Sequence, residues 1–352
     1  MTFKFGLRHP PCADARTVAD FAVRAEAAGF DMAWFPDSQF LWRNVWATLA
    51  LAAERTTTIG IGTAITNFET RHVAVTASAA ATIEELAPGR LTVGFGTGDS
   101  SVKTLGLEPT TLARMRSQID EFRRLTRGDT VTYGESGDYA HREMRLTASR
   151  GRQIPTYMAA SGPKALALAG EVADGVLILA GVGKSLLERA LGYIEEGAER
   201  AGRSMEDIDL WVAAHTFITP DRATATRMVK PLAITSAQFG AHAALASVGI
   251  DITVPKVVPG IYPDVTHAVD WEAAIQGSDQ YIDDEVADIY ARNFTLAGTA
   301  DDVVERIERA AELGVRNFEI QSPLSYVLPE DQLAGIRDEV LPRLRPECTR
   351  PS

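Results

Sequence analysis

The sequence predicts an α/β fold, a parallel (β/α)8 barrel of the TIM type, as a single domain over residues 1–352 with insertions. Short apolar segments alternate with amphipathic helical segments along the chain, which is typical of a parallel sheet covered by helices. No G-x-G-x-x-G follows the first strand, although a dinucleotide-binding open sheet would require one. The 352 residues, 45% of them hydrophobic, suffice for one barrel-sized core.

The predicted strands are short runs rich in apolar and β-branched residues, bounded by glycine or polar residues. In chain order they cover residues 3–8, 32–37, 57–66, 91–98, 154–161, 175–181, 209–219 and 317–323. The first helix begins after Asp14, a typical N-cap residue, and ends at Gly29. The other main helices cover residues 44–56, 73–87, 110–128, 162–173, 185–202 and 300–314.

Two segments do not fit a bare barrel. Residues 131–146 predict a hairpin insertion, because two short strand-like runs flank a glycine-rich turn. Residues 221–292 form a long interruption with little periodicity. Long excursions inside a compact fold are usually functional, so we expect this insertion to form a substrate wall or a lid.

The composition excludes several classes of partner. The net charge is −12 and the chain has no basic cluster, so no nucleic acid partner is expected. No apolar run is long enough for a signal peptide or a membrane span, so no membrane partner is expected. The two cysteines, Cys12 and Cys348, lie far apart in sequence without metal-ligand spacing. We therefore expect no metal and a reducing, cytoplasmic location.

The carboxyl ends of barrel strands carry the active site in this fold, and here they are rich in small residues. In "AASGPKALALAGE", Pro163 suits the first position of a helix. The amides there, with Lys164 adding charge, could hold a phosphate. Alternatively, Ser161 merely caps the helix. The turn "GFGTGDSS" offers a second group of amides, with Asp99 as a cap or a polar contact.

The third strand ends in "IGIGTAITN", a tip of small and hydroxyl-bearing residues that suits the floor of a cofactor site. This tip, followed by "AVTASAAATIEELAPGRLTVGFGTGD", resembles the bacterial luciferase-like superfamily, and within it the branch that depends on the deazaflavin coenzyme F420. That branch includes methylenetetrahydromethanopterin reductase and deazaflavin-dependent glucose-6-phosphate dehydrogenase. The segments "PDSQFLWR" and "GTGD" are similar to motifs of the dehydrogenase.

The resemblance implies a luciferase-like barrel, coenzyme F420 as cofactor and a homodimer. It implies a non-prolyl cis peptide between Ala64 and Ile65, beneath the central ring of the deazaflavin. Matched residue by residue, the ring side of the pocket is expected to be lined by Asp37, Trp42, Thr66 and Asn67. The phosphate-bearing tail is expected near Thr97, Gly98, Ala160, Ser161 and Gly162, with Pro163 and Lys164 following.

The chain departs from the resemblance at three positions. Ser38 stands where the dehydrogenase has a histidine that accepts the proton, Arg8 stands where the reductase has an acid, and Asp99 replaces a glutamate. A general acid is still needed within hydrogen-bond reach of the product atom. His9 is the first candidate, because imidazole titrates near neutral pH. Asp99 and His215 follow, although a single histidine is more often a packed or surface residue.

Arg8 has two interpretations. Its guanidinium could bind a carboxylate or phosphate of the substrate through two parallel donors, or it could pair with an acid such as Asp37 as part of the barrel. The sequence therefore predicts an oxidoreductase that transfers a hydride between reduced F420 and a small organic substrate at C=O, C=C or C=N. The alternatives are an FMN-dependent monooxygenase that uses oxygen and a non-catalytic cofactor-binding barrel.

Overall fold

A computed structural model describes residues 2–133, 142–149 and 151–345 of the protein. Its strands, in chain order, are β1 (Lys4–Arg8), β2 (Met32–Phe35), β3 (Gly60–Thr66), β4 (Leu91–Phe95), β5 (Val131–Tyr133), β6 (Arg142–Met144), β7 (Thr156–Ala160), β8 (Gly175–Ile178), β9 (Asp209–Ile218), β10 (Leu296–Gly298) and β11 (Asn317–Gln321). Strands β1, β2, β3, β4, β7, β8, β9 and β11 pair in parallel, and the pairing of β8 with β9 closes the ring. The predicted parallel (β/α)8 barrel is confirmed.

The helices surround this barrel. In chain order they are α1 (Ala15–Ala27), α2 (Val45–Arg55), α3 (Val73–Leu86), α4 (Ser100–Lys103), α5 (Leu112–Arg127), α6 (Pro163–Val172), α7 (Lys184–Arg200), α8 (Arg222–Met228), α9 (Lys230–Gln238), α10 (His242–Ala246), α11 (Trp271–Ser278), α12 (Asp284–Phe294), α13 (Ala300–Glu312), α14 (Glu330–Gly335) and α15 (Leu341–Leu344). A 3-10 turn (Met205–Asp207) precedes β9, and a π-helical stretch (Ile336–Val340) joins α14 to α15. No helix in the described ranges is long and apolar enough to cross a membrane.

Helix α1 illustrates how local sequence determines these boundaries. The Asp14 carboxylate accepts hydrogen bonds from the backbone N–H groups of Arg16 (3.1 Å) and Thr17 (3.2 Å), as an N-cap does. The chain leaves the helix through Gly29, whose φ of 87° favours glycine. The buried face of α1, including Phe21, packs against side chains that point outward from the barrel.

The amino-terminal end of the barrel is closed by a polar cluster beneath large aromatic side chains. The Asp209 carboxylate accepts hydrogen bonds from Trp211 Nε1 (2.9 Å), Asn317 Nδ2 (2.7 Å) and the Tyr157 hydroxyl. Above it, Trp34 packs edge-to-face on Trp211, with ring centroids 5.6 Å apart. Because this end is filled, a ligand can enter the barrel only from the carboxyl ends of the strands.

The two predicted insertions lie at different places on the barrel. Strands β5 and β6 pair antiparallel within residues 131–146, and the connection at 134–141 lies outside the described residues. Residues 221–292 contain α8 to α11 and most of α12, with an apolar core of their own that includes Leu232, Trp271 and Ile275. Strand β10 follows this insertion and pairs with the outer half of β9. With three residues, β10 is too short to be predicted from periodicity.

Candidate active site

A cavity of about 660 Å³ opens at the carboxyl ends of the barrel strands. The insertion covers part of it, since α9 and α10 contribute to its wall. The structure brings most of the sequence-predicted site residues to this cavity: Arg8, Asp37, Trp42, Ala64, Ile65, Thr66, Asn67, Gly98, Asp99, Ser161, Gly162, Pro163 and His215. These residues come from six of the eight barrel strands or the turns that follow them, so only the closed barrel gathers them.

The tip of β3 forms one wall of the cavity. The peptide bond between Ala64 and Ile65 is cis, as predicted. The register with β4 shifts between Thr63 and Thr66, because β3 has one residue more than β4 there. The Thr63 hydroxyl replaces the interrupted backbone ladder by donating to Gly94 O (2.9 Å) and accepting from Gly94 N–H (3.0 Å). The result is a bulge that turns Ala64 and Ile65 toward the cavity.

Two glycines of the "VGFG" segment make room for this bulge. A Cβ atom at Gly94 would collide with the backbone oxygen of Thr63, and one at Gly96 would collide with Ile65 Cδ1. The Thr63 oxygen belongs to the backbone of the bulge and cannot move aside, whereas the Ile65 side chain would have to change its conformation. The small residues of β4 are therefore explained by the shape of β3.

The end of β2 is joined to the bulge by hydrogen bonds. Asp37 N–H donates to Ile65 O (3.4 Å), and the Thr66 hydroxyl donates to Asp37 Oδ2 (2.7 Å). Arg71 forms an ion pair with the same carboxylate, whose side chain is 3% exposed. The suggestion that Arg8 pairs with Asp37 is wrong, because Arg71 occupies that carboxylate.

Residues after β3 fold back over the same wall. The Asn67 side-chain oxygen accepts from the N–H groups of Glu69 and Thr70, both at 2.9 Å, in an Asx turn. Its amide nitrogen donates to Ser101 Oγ (3.0 Å). Asn67 therefore ties the tip of β3 to the turn after β4, where two of the predicted cofactor contacts lie.

The amino terminus of α6 points at the opposite part of the cavity. Gly162 is the N-cap residue, Pro163 takes the first helical position, and no side chain caps the helix. Ser161 lines the cavity without forming that cap, so the capping interpretation of Ser161 is wrong. The first backbone N–H groups of a ten-residue helix thus remain available to an anion. We call Gly98, Ser161, Gly162 and Pro163 the tail end of the cavity.

Four predicted residues do not line the cavity. Thr97, Ala160 and Lys164 neighbour lining residues in sequence, but Ala160 belongs to the core around the barrel and Lys164 is exposed. His9 also lies outside it. Its fully buried ring packs against Phe21 and Phe35, with centroids 5.2 Å apart in both pairs, and Nδ1 lies 2.6 Å from Leu7 O. Desolvation lowers the pKa of His9 to about 4.

The other two candidates for the general acid do line the cavity. Asp99 is half-exposed and forms an ion pair with Lys103 (2.6 Å). His215 points into the barrel with Nδ1 buried and without a hydrogen-bond partner. Desolvation, together with the charge of Arg8, lowers the pKa of His215 to about 3, so its imidazole is neutral at neutral pH. It is therefore a poor proton acceptor, and its neutral ring can serve as a hydrogen-bonding group.

Glu319 is an ionisable residue of the cavity wall that sequence reasoning missed. It is 1% exposed and points into the barrel from β11, and Gln321 Nε2 donates to its carboxylate (3.1 Å). Desolvation raises the pKa of Glu319 to about 7, although the charge of Arg8 opposes this shift. The signal was the alternation in "NFEIQSP", where Phe318 and Ile320 point outward. We call Arg8, His215, Glu319 and Gln321 the inner end of the cavity.

The insertion provides residues of the cavity wall that no sequence motif predicted. They are mostly small or apolar, with a few polar groups: Leu232, Thr235, Ser236, Phe239, Gly240, Ala241, Thr266, His267 and Tyr290. His267 is held by the Asp264 carboxylate (3.0 Å) and lies edge-on to Trp42, and the Tyr290 hydroxyl lies 2.7 Å from Ser236 Oγ. These contacts fix polar groups within an otherwise apolar wall.

The residues fit a planar, polycyclic cofactor with an anionic tail. The bulge places Ala64, Ile65 and Thr66 along one wall of the cavity. A Cβ at Gly162 would meet nothing within 4 Å, and the α6 amides are uncapped. No group of His, Cys, Asp and Glu suited to a metal ion occurs in the described part of the chain. Fold and site together define a TIM-barrel protein with a cofactor cavity at the carboxyl ends of its strands.

Comparison with known proteins identifies the family. Residues 2–317 match the luciferase-like monooxygenase family, and the chain belongs to it. The 5,10-methylenetetrahydromethanopterin reductase of Archaeoglobus fulgidus is 31% identical over 345 residues, which cover 97% of this chain and 100% of the reductase. The F420-dependent glucose-6-phosphate dehydrogenase of Microbacterium testaceum is 30% identical, with 93% of this chain and 92% of the dehydrogenase covered.

The fold comparison agrees. The structure of coenzyme F420-dependent tetrahydromethanopterin reductase from Methanopyrus kandleri matches with a TM-score of 0.75 at 27% identity, covering 98% of this chain and 100% of that chain. The assignment to the luciferase-like superfamily, and its resemblance to the F420-dependent reductases and dehydrogenases, is confirmed.

Proposed function

We propose that this protein is a coenzyme F420-dependent oxidoreductase that transfers a hydride between the reduced coenzyme and a small organic substrate. The observation that carries the proposal is the joint presence, on one cavity, of the β3 bulge and the uncapped α6 terminus. Relatives that align with nearly the whole chain and carry F420-dependent names support the same cofactor. When bound, F420 supplies obligate hydride chemistry with little reactivity toward oxygen.

The chain's own residues position the cofactor. Ala64, Ile65 and Thr66 would hold the ring, while Asp37 and Asn67 keep this wall in place through the hydrogen bonds already described. The α6 amides and the turn at Gly98 would hold the phosphate of the tail. The insertion covers the substrate side and limits the access of water, so electrostatic interactions within the cavity are strengthened.

Reduction of C=O, C=C or C=N needs a proton as well as a hydride. Among the inner-end groups, Glu319 is the one whose pKa, about 7, allows proton exchange near neutral pH. Its Oε atoms therefore hold the proton that reaches the substrate, and His215 remains a neutral hydrogen-bonding group. His9 is unsuited to this role because its ring lies outside the cavity.

An FMN-dependent monooxygenase is the second candidate, favoured by the membership of the luciferase-like monooxygenase family. Titration of the purified protein with F420 and with FMN, followed by absorbance and fluorescence, separates the two. We expect saturable binding of F420 at micromolar concentrations and weaker binding of FMN. Tighter FMN binding with oxygen uptake from reduced FMN would favour the monooxygenase, and binding of neither cofactor would favour a non-catalytic barrel.

The homodimer is what the resemblance implies, and the cytoplasmic location is what the cysteine usage implies. We infer a cytoplasmic homodimer that acts on a small molecule, without nucleic acid or membrane partners. Sedimentation equilibrium tests the dimer, for which the expected mass is twice the 38.0 kDa of the chain. A monomer at micromolar concentration would contradict the inference.

A further inference from the structure

Arg8 is a half-buried cation, and within the part of the chain that the structure describes its side chain has no hydrogen-bonded partner. It lines the cavity from the end of β1, and its Nε atom is buried without a hydrogen-bond acceptor. No carboxylate in the described ranges 2–133, 142–149 and 151–345 lies within 4.0 Å of its guanidinium, by the distance that defines an ion pair. One face of the guanidinium lies over the Trp42 ring, with Cζ 5.9 Å from the ring centroid.

The other groups at the inner end leave this charge available. Glu319 pairs with Gly6 of β1 on one side and with Ala213 of β9 on the other. Arg8 follows Gly6 by two residues, so Glu319 lies deeper in the barrel than Arg8. Its charge acts on Arg8 from a distance beyond an ion pair. His215 of β9 is neutral and faces Arg8 from the side. Asp209, the other acid in the barrel, is already bound by three donors at the opposite end.

The buried Nε–H of this guanidinium is costly, because burial removes its water without replacing the hydrogen bond. Desolvation accordingly lowers the pKa of Arg8. A bound anion that accepted two hydrogen bonds would offset this cost. The Arg8 cation at the inner end is therefore suited to binding a ligand group rather than to stabilising the barrel.

We propose that the inner end binds the carboxylate of a small organic acid, with the Arg8 guanidinium as the donor, so that the substrate of the proposed reaction is a monocarboxylate. This inference rests on the proposed function only in calling the bound acid a substrate, because the anion site itself needs no cofactor. The planar fork of arginine matches a carboxylate with two parallel hydrogen bonds. One negative charge neutralises one guanidinium, whereas a phosphate dianion would leave one buried negative charge without a partner.

Glu319 makes this binding depend on pH. Its pKa of about 7 leaves it neutral in weakly acidic solution, where it does not compete for Arg8. Above pH 7 it becomes an anion beside the bound carboxylate and repels it. The carboxylate of the ligand stays ionised across this range, so affinity should fall as the pH rises through about 7.

The test measures binding of benzoate, a monocarboxylate whose ring suits the apolar wall, by isothermal titration calorimetry from pH 5.5 to 8.5. It uses the F420-loaded protein and, in parallel, the protein alone. We expect Arg8→Gln to weaken the affinity for benzoate by about tenfold or more, because it removes the charged donor of both hydrogen bonds to the carboxylate. Arg8→Lys should recover part of the affinity, since it keeps the charge but loses the fork.

Two variants make the result specific. Glu319→Gln should bind benzoate more tightly than the native protein above pH 7 and lose the pH dependence, a gain that misfolding cannot imitate. Arg189→Gln is the matched control, because Arg189 also lines the cavity but is exposed and donates to Ser247 Oγ (2.6 Å). Its benzoate affinity should match that of the native protein.

The outcomes separate this proposal from the proposed function. Benzoate binding that is absent, or unchanged in Arg8→Gln, overturns the carboxylate site even if F420 binds. Phenyl phosphate binding more tightly than benzoate overturns the choice of a monocarboxylate. If F420 does not bind but benzoate binds through Arg8, the proposed function fails and the anion site stands.

Discussion

The two ends of the cavity are built from different material. The tail end consists of backbone groups and small residues, with an uncapped helix terminus at Gly162. The inner end consists of polar and mostly ionisable side chains, with Glu319 buried inside the barrel and Arg8 half-buried at the end of β1. The tail end therefore depends on the shape of the backbone, and the inner end depends on charge and pH. Changes that disturb one property should leave the other end largely unaffected.

The largest expected effect concerns charge at the inner end. Burial raises the folded-state pKa of Glu319 from 4.5 to about 7, so the folded protein holds this proton more tightly than the unfolded chain does. The resulting stability is fully present at acidic pH and is lost as the pH rises to about 7. Glu319→Gln cannot titrate, so it should gain about 3 kcal/mol in unfolding free energy relative to the native protein between pH 4.5 and 8.

Urea denaturation at several pH values, monitored by circular dichroism, measures this difference. Asp99→Asn provides the matched control, because Asp99 lines the cavity but its side chain is 43% exposed. Its difference from the native protein should stay within about 0.5 kcal/mol. A Glu319→Gln curve parallel to the native curve would mean that the inner end is as insensitive to pH as the tail end.

The contrast also explains what the sequence could predict. The barrel and the tail end are local in sequence, since strand–turn–helix segments such as the one around Pro163 place their own amides. The cis peptide and the residues of β3 came from the resemblance, which is densest there. The inner end combines β1, β9 and β11, so its members are neighbours only after the barrel has closed.

His9 shows the physical reason for the main error. Successive side chains of a strand point to opposite faces, so of two adjacent residues at a strand end one faces the barrel interior and the other faces the surrounding helices. Arg8 points into the barrel and His9 points outward onto Phe21. The sequence near the strand end does not fix which face is inside, whereas Gly6 against Trp34 does so in the structure. The same alternation, applied to β11, would have identified Glu319.

A smaller effect is expected from the packing that positions the tail end. Helices α6 and α7 approach closely, because a Cβ at Gly197 would collide with the backbone oxygen of Ala167, and one at Gly170 with that of Ile194. Gly197→Ala should therefore push α6 outward and cost about 2 kcal/mol of unfolding free energy. The variant should also lower the affinity for F420, because the α6 amides move. Its affinity for benzoate at the inner end should change little.

Gly192 offers a control on the same helix. A Cβ there meets nothing within 4 Å, so Gly192→Ala should stabilise the protein slightly through helix propensity. Thermal denaturation and F420 fluorescence titration compare the two variants. Equal loss of F420 and benzoate affinity in Gly197→Ala would show that the two ends are not independent.

The smallest effect separates helix stability from anion binding at the tail end. Gly162 has φ −91° and open space around it, so any side chain fits there. Both Gly162→Asp and Gly162→Asn should cap α6 and raise the unfolding free energy by about 0.3 kcal/mol. The aspartate also places a negative charge beside the phosphate. It should therefore weaken F420 by about tenfold relative to the asparagine variant, equivalent to about 1.4 kcal/mol.

The deazaflavin chromophore without its phosphate tail supplies the internal control for these two variants. Its affinity should be the same in both variants, because the proposed binding mode places the ring against Ala64 and Ile65, on the wall opposite Gly162. Fluorescence titrations at low and high salt then distinguish direct repulsion from altered folding, since screening should narrow the gap between the variants. If aspartate and asparagine bind intact F420 equally well, the phosphate lies elsewhere, and the tail end defined here is not where the tail binds.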